Sequence, residues 1–556
     1  MSNSEIADAL ARLAQLLSVE KENPFKVKAY RRAAAKIRTL SDSVDEMVRE
    51  GADLTQYAGI GDAIAAAIEE IVRTGALRKL EDLRSKANPE VASIGDYPRL
   101  DPKRVQRVYK KLNISSVEEL RANLENGEIE KTLGLRMAQH IRNGLVEAQS
   151  ILLYKADEMR VAVEEFILNR CGVKRVRVVG DYRRRVEIVQ DLSFVIDTDD
   201  FAAVVARLER YGGQMPLLSS EESSATFHLP TGILLRVQAV DAEHWGLALI
   251  GLTGSEEHLR RLNALTGALT NPDILNADIA TEDAFYQKFD LSFIEPELRE
   301  GNDEVALARR GELPHLVSRQ DVRGELHAHT TASDGAHSIE QMAIAARDRG
   351  YEYIGITDHS QSLKIARGVS IEDLWKQIRE IDHLNERLDG IRILKSAEVD
   401  ILADGGLDYP DDLLRELDYT VCSIHSRFAL GKTEQTERIL RAMDNRYFTI
   451  LGHPTGRLLL NRPGYALDFS RIVEHARASG CFFEINSSPN RLDLSAEHAR
   501  LAHQAGVRIA VCTDAHSTRE LDLIRCGLDQ ARRAGLERDD VLNCSPWDQL
   551  RRLIRR

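Results

Sequence analysis

Nowhere in the 556 residues does an apolar run reach the roughly 18 residues that a membrane-spanning helix needs, so none is expected. Cysteine is scarce. The six residues, at 171, 422, 481, 512, 526 and 544, show no CxxC spacing, which excludes a disulfide framework and fits a reducing compartment. The opening stretch from Met1 to Glu5 lacks a secretory pattern, and a cytoplasmic location is expected. Positive charge is in deficit too: 75 Lys and Arg face 88 Asp and Glu, a net charge of −13 that disfavours a nucleic-acid binder acting with its whole surface. Local binding survives this exclusion, because steering depends on where charge lies as well as on its sum. The length accommodates roughly three or four domains of ordinary size, each able to bury a core.

What the C-terminal part does have is a series of metal-type side chains, each following a short apolar run: His327, His329, Asp334, His359, Glu398, His425, His453, Asp514 and His516. The run Tyr353 to Ile356, followed by Asp358 and His359, reads as a buried parallel strand that delivers a ligand from its C-terminal end. The pattern recurs where Leu394 to Ala397 leads to Glu398, Thr420 to Ile424 leads to His425, and Thr449 to Gly452 leads to His453. Phe482 and Phe483 likewise lead to Glu484 and Asn486, and Ile509 to Cys512 leads to Asp514. In barrels of parallel strands the active site is assembled at that rim, so ligands scattered in sequence converge. Period-two alternation points both members of the pairs His327/His329 and Asp514/His516 to one side. A lone buried histidine is usually a hydrogen-bonded core residue, but nine such side chains at strand ends describe a polynuclear metal site. Mixed histidine and carboxylate ligands suit zinc, manganese or iron, and the absence of cysteine from the set argues for a catalytic rather than a structural centre.

These stretches resemble the motifs of the PHP (polymerase and histidinol phosphatase) superfamily: 325–335 with His327, His329 and Asp334, 356–359 with His359, 397–400 with Glu398, 452–454 with His453, 484–486, and 513–517 with Asp514 and His516. The resemblance implies a distorted (β/α)7 barrel holding up to three divalent metals, with magnesium a further candidate. By it, one ion is held by His327, His329, Glu398 and Asp514, a second by Glu398, His425 and His453, and a third by Asp334, His359 and His516. It makes His327, His329, Glu398, Asp514 and His516 the expected catalytic residues. Clustered divalent ions lower the pKa of bound water and clamp attacking and leaving oxygens, so hydrolysis of a phosphoester is the expected reaction. Arg457 and Arg491, in the loops after His453 and Asn486, are candidates to hold a phosphate through paired N–H donors.

The N-terminal part reads as an amphipathic helical bundle, with Ile6, Leu10, Leu13, Leu16 and Leu17 at helical spacing. Tyr57 to Gly61 precedes the apolar stretch Ala63 to Ile68, the pattern of a helix-hairpin-helix. Gly59 and Gly61 allow a tight turn whose backbone N–H groups at a helix start can approach a DNA phosphate, and Lys26, Lys28, Arg31 and Arg32 lie upstream. Such binding is independent of DNA sequence.

The order of segments resembles family-X DNA polymerases of the bacterial type. The resemblance sets the expected boundaries: a helical lyase-like domain with the hairpin at 1–85, a fingers-like helical domain at 86–150, a palm at 151–240, a thumb-like domain at 241–315, and a PHP phosphoesterase at 322–556. A polar stretch with Gly311 and Pro314, near Arg309 to Asp321, reads as the linker. The expected fold class is therefore multidomain: α-helical N-terminal domains with a helix-hairpin-helix, an α+β polymerase-like palm and thumb, and a C-terminal distorted (β/α)7 PHP barrel. The polymerase half departs from its family. Two carboxylates of an Asp-x-Asp pair are needed, and the chain has Asp191 and Ser193; the third belongs in a stretch that here reads Ile233 to Arg236, with Leu234 at its place. Asp181 stands where a serine would touch phosphates, Gly251 and Leu252 replace an aromatic pair, and Ala67 stands where the lyase lysine would fall. Pro98 to Pro102 replaces a later hairpin turn, and 134–136 keeps only Gly134.

The leading expectation is a metal-dependent 3′–5′ DNA exonuclease or end-trimming nuclease of DNA repair, monomeric, nucleoid-associated and without membrane partners. The former polymerase body would hold DNA ends or gaps, with Arg183 and Arg184 beside Gly59 and Gly61 as candidate contacts. Polymerase and lyase activities are expected to be lost. Three alternatives compete. An active repair polymerase with PHP proofreading would require Asp200 or Asp241 to replace the missing carboxylates. The others are a small-molecule phosphomonoesterase and a non-catalytic DNA-binding scaffold with structural metals.

Overall fold

Apolar residues at helical spacing bury one face of each N-terminal helix, and that is what gathers them. In the computed structural model, which describes all residues except 2, 20, 21, 39, 41, 58, 87–101, 115, 136, 139, 140, 142–149, 230, 276, 555 and 556, the chain divides into two units, Met1–Phe293 and Ile294–Arg556. In the first, helices Asn3–Val19, Pro24–Arg38, Val44–Arg49, Asp62–Thr74 and Arg78–Lys86 enclose a core of Ile6, Leu10, Leu13, Leu17, Tyr30, Ile37, Ile64, Ile68 and Ile71. Helix Asp62–Thr74 starts at Gly61, which is extended, while Gly59 has a φ of +93°. Only Gly59 therefore requires glycine for its backbone conformation. Pro98 to Asp101 and Arg136, read from sequence as worn hairpin turns, lie outside the described residues.

The rest of this unit is built on a sheet of β2 (Arg175–Val179), β4 (Asp191–Asp197), β7 (Leu234–Ala239), β6 (Ser224–His228) and β5 (Leu217–Ser220), in that order. A separate antiparallel pair joins β1 (Ile151–Leu152) to β3 (Ile188–Val189). Alternation sends Leu192, Phe194, Leu235 and Val237 into the core. It leaves Asp191, Ser193, Leu234 and Arg236 on the other face, where Asp191 pairs with Leu234 and Ser193 with Arg236 in parallel register.

In the second unit all strands are parallel, and each delivers its C-terminal end to one rim. They are β8 (Gly324–Ala328), β9 (Tyr353–Ile356), β10 (Arg392–Lys395), β11 (Glu398–Asp400), β12 (Val421–Ser423), β13 (Ile450–Leu451), β14 (Phe482–Asn486) and β15 (Ile509–Cys512). One sheet has the order β10-β9-β8 and the other β11-β12-β13-β14-β15; isolated parallel bridges join Ala328 to Ala515 and His359 to Glu398. Helices such as Ile339–Arg347, Ile371–Arg387, Lys432–Met443, Phe469–Ser479 and Ile524–Arg533 pack on the strands through a large apolar core. Leu326, Tyr353, Leu394, Val421, Ile450 and Ala510 form a second, inner cluster, closed by Leu550 and Ile554 of helix Trp547–Ile554.

The run Leu394 to Ala397 does not lead continuously into Glu398. The strand stops at Lys395, whose N–H donates to Asp418, and Ser396 turns its hydroxyl to the Tyr419 carbonyl, so Glu398 opens a new strand in the other sheet. Residues 294–321, read from sequence as the end of a thumb and a linker, pack within the second unit. Leu316 bridges Glu537, Val317 is fully buried, and Glu297 and Glu300 pair with Arg532 and Arg533. Among the described residues, no helix is long and apolar enough to cross a membrane.

Candidate metal centre

All nine side chains read from the sequence as ligands come together at the rim of the parallel strands. Glu398 lies among them: its Oε2 is 2.7 Å from His359 Nδ1, 3.5 Å from His327 Nε2 and 3.7 Å from His329 Nε2. Its Oε1 lies 2.9 Å from His453 Nε2 and 3.3 Å from His425 Nε2. Asp514 Oδ1 is 3.0 Å from His329 Nε2 and 3.5 Å from His327 Nε2. Asp334 Oδ1 is 3.3 Å from His516 Nε2 and 3.6 Å from His359 Nε2. Three sets have ligand atoms close enough to hold one ion each: His329, Asp334, His359 and His516; His327, His329 and Asp514; His359, Glu398 and His425. These sets overlap where the grouping implied by the resemblance does not: His329, facing Asp334, Glu398 and Asp514, and His359, facing Asp334 and Glu398, each belong to two of them, while His453 lies beside the third at Glu398 Oε1.

The chemistry of the set fits divalent cations. His327 Nε2, His329 Nδ1 and His453 Nδ1 are buried without a hydrogen-bond partner, and the 2.7 Å approach of His359 Nδ1 to Glu398 Oε2 is not aligned as a hydrogen bond. Buried polar atoms are otherwise almost always partnered, so a group of such imidazoles gathered around Glu398 and Asp514 suits cations. Electrostatics within the cluster are correspondingly strained. Burial alone would strip His327 of its proton, but Glu484, Asp514 and Glu398 outweigh it and hold the imidazole well above its ordinary value. Burial also opposes charge on His425, yet Glu398 and Asp400 push it up to about 10. For His516 the balance of burial against Asp334 and Asp514 ends at about 9. His329, buried and stacked on the rings of His359 and His516, falls to about 4. Burial would raise the carboxyls of Glu398 and Asp514, but the surrounding imidazoles keep both well below the usual carboxylate range.

A further layer of residues orients this cluster. Glu484 lies 2.7 Å from His327 Nδ1 and Asp400 lies 2.8 Å from His425 Nδ1, so each carboxylate holds one ring nitrogen and leaves the other facing Glu398. Asn486 donates to Asp514 at 3.0 Å. Buried Glu325 accepts from the N–H groups of His327 and Thr513, tying β8 to the segment after β15; burial raises its carboxyl to about 7. Asp358 gathers Thr330, Ser333 and Gln377, fixing the turn that carries Asp334. Glu325, Asp358, Asp400, Glu484 and Asn486 all fall within the motif stretches quoted from the sequence, but only the fold shows which group each one holds. His453 and Asp514 have φ of +27° and +54°, a region uncommon for residues other than glycine and often occupied at functional sites.

The remaining candidates divide. Arg491 lies at the cluster, its Nε 3.8 Å from Asp514 Oδ2. Arg457 does not offer its fork to a ligand: its guanidinium donates to the backbone carbonyls of Arg491 and Leu492, holding the loop that presents Arg491. Gly59 and Gly61 form the turn before a helix start whose N-cap has no side-chain hydrogen bond. Arg183 forks onto Glu282 and reaches Thr253 at 3.1 Å, and Arg184 donates to the Thr253 carbonyl and to Asp181. Their donors are engaged inside the fold, in contrast to the solvent-facing phosphate contacts expected from sequence. Asp191 accepts from Ser193 at 2.9 Å and from Arg236 at 3.3 Å. Asp200 caps helix Phe201–Leu208, and Asp241 accepts from the His244 N–H and lies 2.6 Å from its Nδ1.

Comparison with known proteins agrees with these features. A helix-hairpin-helix domain family matches residues 1–77 and the PHP domain family matches residues 325–488. The chain is similar, at 32% identity over 39% of its length and 89% of the relative's, to a probable phosphatase of Thermoanaerobacter sp.. A probable phosphatase of Acetivibrio thermocellus is 33% identical over 35% of the chain and 80% of its own length. The DNA polymerase/3'-5' exonuclease PolX of Bacillus subtilis is 33% identical, with 100% of each chain covered. This chain, with a helix-hairpin-helix domain at its start and a PHP domain in its second half, belongs to the PolX family.

Proposed function

We propose that the second unit is a metal-dependent phosphoesterase acting as a 3′–5′ DNA exonuclease in repair, and that the first unit holds DNA without polymerising it. The reading rests above all on the convergence of nine ligand-type side chains with buried, unpartnered atoms. The closed run of parallel neighbours is read as a distorted (β/α)7 barrel in which β10 and β11 are two halves of one broken strand. Up to three ions would be held by His327, His329, Asp334, His359, Glu398, His425, His453, Asp514 and His516. Zinc and manganese suit this donor set best, with iron and magnesium as alternatives. When bound, such ions activate water and neutralise the developing charge on a phosphoester.

The chain's own side chains then have defined tasks. Glu398, His327 and His329 are at most 1% exposed, while Asp334 and His516, each about a third exposed, form the mouth through which a phosphate enters. Arg491 is placed to hold a non-bridging oxygen, with Arg457 fixing its loop. Asp400 orients His425; Asp400→Asn is expected to raise the Mn²⁺ concentration for half-maximal hydrolysis about 10–100-fold. A metal titration of a chromogenic phosphodiester measures this, and an unchanged midpoint would remove Asp400 from that role.

In the first unit, the helix start after Gly61 would take a DNA phosphate, and the helical, palm-like and thumb-like segments follow the boundaries set out from sequence. The palm lacks the means to gather metal ions: its one remaining carboxylate, Asp191, faces Leu234 across the strands and is paired to the Arg236 cation. Ala67, in the lyase position, is buried and carries no amine. Primer extension on gapped DNA with dNTP and Mn²⁺ is expected to give no product. Extension abolished by Asp191→Ala would instead establish a working polymerase. The exonuclease reading is tested with 3′- and 5′-end-labelled DNA and His327→Ala in parallel. Stepwise 3′ shortening lost in the variant supports it. Unchanged DNA alongside hydrolysis of a small phosphomonoester would place the chain with the phosphatase-like reading.

A further inference from the structure

Ile365 is 93% exposed, more than any other large apolar side chain among the described residues. Single exposed apolar residues are ordinary. This one is set apart by what holds it. It sits in the turn Lys364–Ala366, at the tip of a loop that leaves the cluster directly after His359 and returns to it ten residues later: Ser360 bridges Val369, whose N–H donates to the His359 carbonyl at 2.8 Å. The Ser360 N–H donates to the Glu398 carbonyl at 2.9 Å. Ser362 donates from its hydroxyl to Asp400 and from its N–H to Asp408, and Tyr409 donates to the Val369 carbonyl. A Cβ on Gly368 would meet the Ser360 carbonyl oxygen at 2.0 Å, so the loop is closed too tightly for any other residue there. Ala366 is buried, while Lys364 and Arg367 are exposed on either side of Ile365, without a carboxylate partner among the described residues. A stiff projection is thus rooted on three members of the centre's surroundings, His359, Glu398 and Asp400, and carries an apolar tip flanked by cations.

We infer that the turn Lys364–Arg367 is a wedge that enters the base stack at the 3′ end of duplex DNA, Ile365 parting the terminal pair while Lys364 and Arg367 hold adjacent phosphates. The inference rests on the exonuclease reading and gives it a substrate class, paired 3′ ends. Depth is what such a device would serve: His327 and Glu398 are at most 1% exposed, so a terminal nucleotide freed from its stack reaches toward them more readily than a stacked one. Aliphatic side chains inserted between base steps are an established means of unstacking, and flanking Lys and Arg supply sequence-independent phosphate contacts.

The test uses the full chain and a blunt duplex with 2-aminopurine as its 3′-terminal base, in EDTA so that no cleavage occurs. Wild-type protein is expected to raise the fluorescence as the base unstacks, Ile365→Ala to bind without that rise, and Ile365→Met to restore it. In Mn²⁺, the ratio of duplex to single-stranded 3′ shortening is expected to fall about tenfold in Ile365→Ala, equivalent to about 1.4 kcal/mol in the barrier. No fluorescence rise with wild type, or an equal rise with Ile365→Ala, overturns the wedge. If wild type raises the fluorescence but shortens no DNA, the exonuclease reading fails while the wedge stands.

Discussion

Glu398→Ala is expected to lower Mn²⁺-supported phosphodiester hydrolysis by at least about 10³-fold, equivalent to about 4 kcal/mol in the barrier. The size follows from position. One carboxylate, 1% exposed, reaches His359, His327 and His329 through Oε2 and His453 and His425 through Oε1. Its removal takes the shared anion from five imidazoles and leaves a buried group of nitrogens with one fewer acceptor between them. Glu398→Gln preserves the volume and removes only the charge, so it separates packing from chemistry. Both variants should lose activity to a similar degree, with circular dichroism reporting an intact fold for Glu398→Gln. Hydrolysis within about tenfold of wild type in the glutamine variant would take Glu398 out of the centre.

Adding Mn²⁺ or Zn²⁺ to chelator-stripped protein is expected to raise the unfolding transition of the second unit and leave that of the first in place. An ion that binds only the folded state adds about 2.7 kcal/mol at a hundred times its dissociation constant, which for a unit of this size is roughly 5–10 °C. The effect is confined because every ligand lies beyond residue 326, in a unit with its own core. Differential scanning calorimetry with and without EDTA measures it, with Glu398→Gln as the variant in which the increment shrinks. A uniform rise of both transitions, or none, would contradict a centre built from these residues. The same EDTA treatment should abolish hydrolysis, since the side chains that remain provide no activated nucleophile of their own.

The candidate ligands could be picked out because each carries a local signal. His359, His425, His453 and Asp514 follow short apolar runs, and a strand that ends on a histidine or a carboxylate announces a rim. The orienting residues were not legible in the same way. Asp400 and Asp358 are one more carboxylate beside a ligand, and only the closing of the strands brings Asp400 to His425 Nδ1 and Asp358 to Thr330, Ser333 and Gln377. Arg457 and Arg491 look alike in sequence. In the fold one braces the loop and the other faces Asp514, a difference set by which backbone carbonyls pass within reach.

The five-stranded sheet of the first unit shows the same division. That Ser193 and Leu234 stand where carboxylates would be expected is implied by the family resemblance alone; alternation shows only that they share a face with Asp191. That Arg236 shares this face and pairs with Asp191 depends on the parallel register of β4 with β7, which no local pattern encodes. Arg183 and Arg184 read as a basic patch until Glu282, nearly a hundred residues away, arrives to accept the fork of the first.

By itself, then, the sequence determined which side chains could be ligands and which strand ends would carry them, since these follow from residue type and short-range periodicity. Tertiary structure decided how the ligands are shared, which arginines remain open to a ligand, where the loop bearing Ile365 is rooted, and where one unit ends and the next begins. These depend on contacts between residues far apart in the chain, and such contacts are fixed by the packing of whole elements against one another.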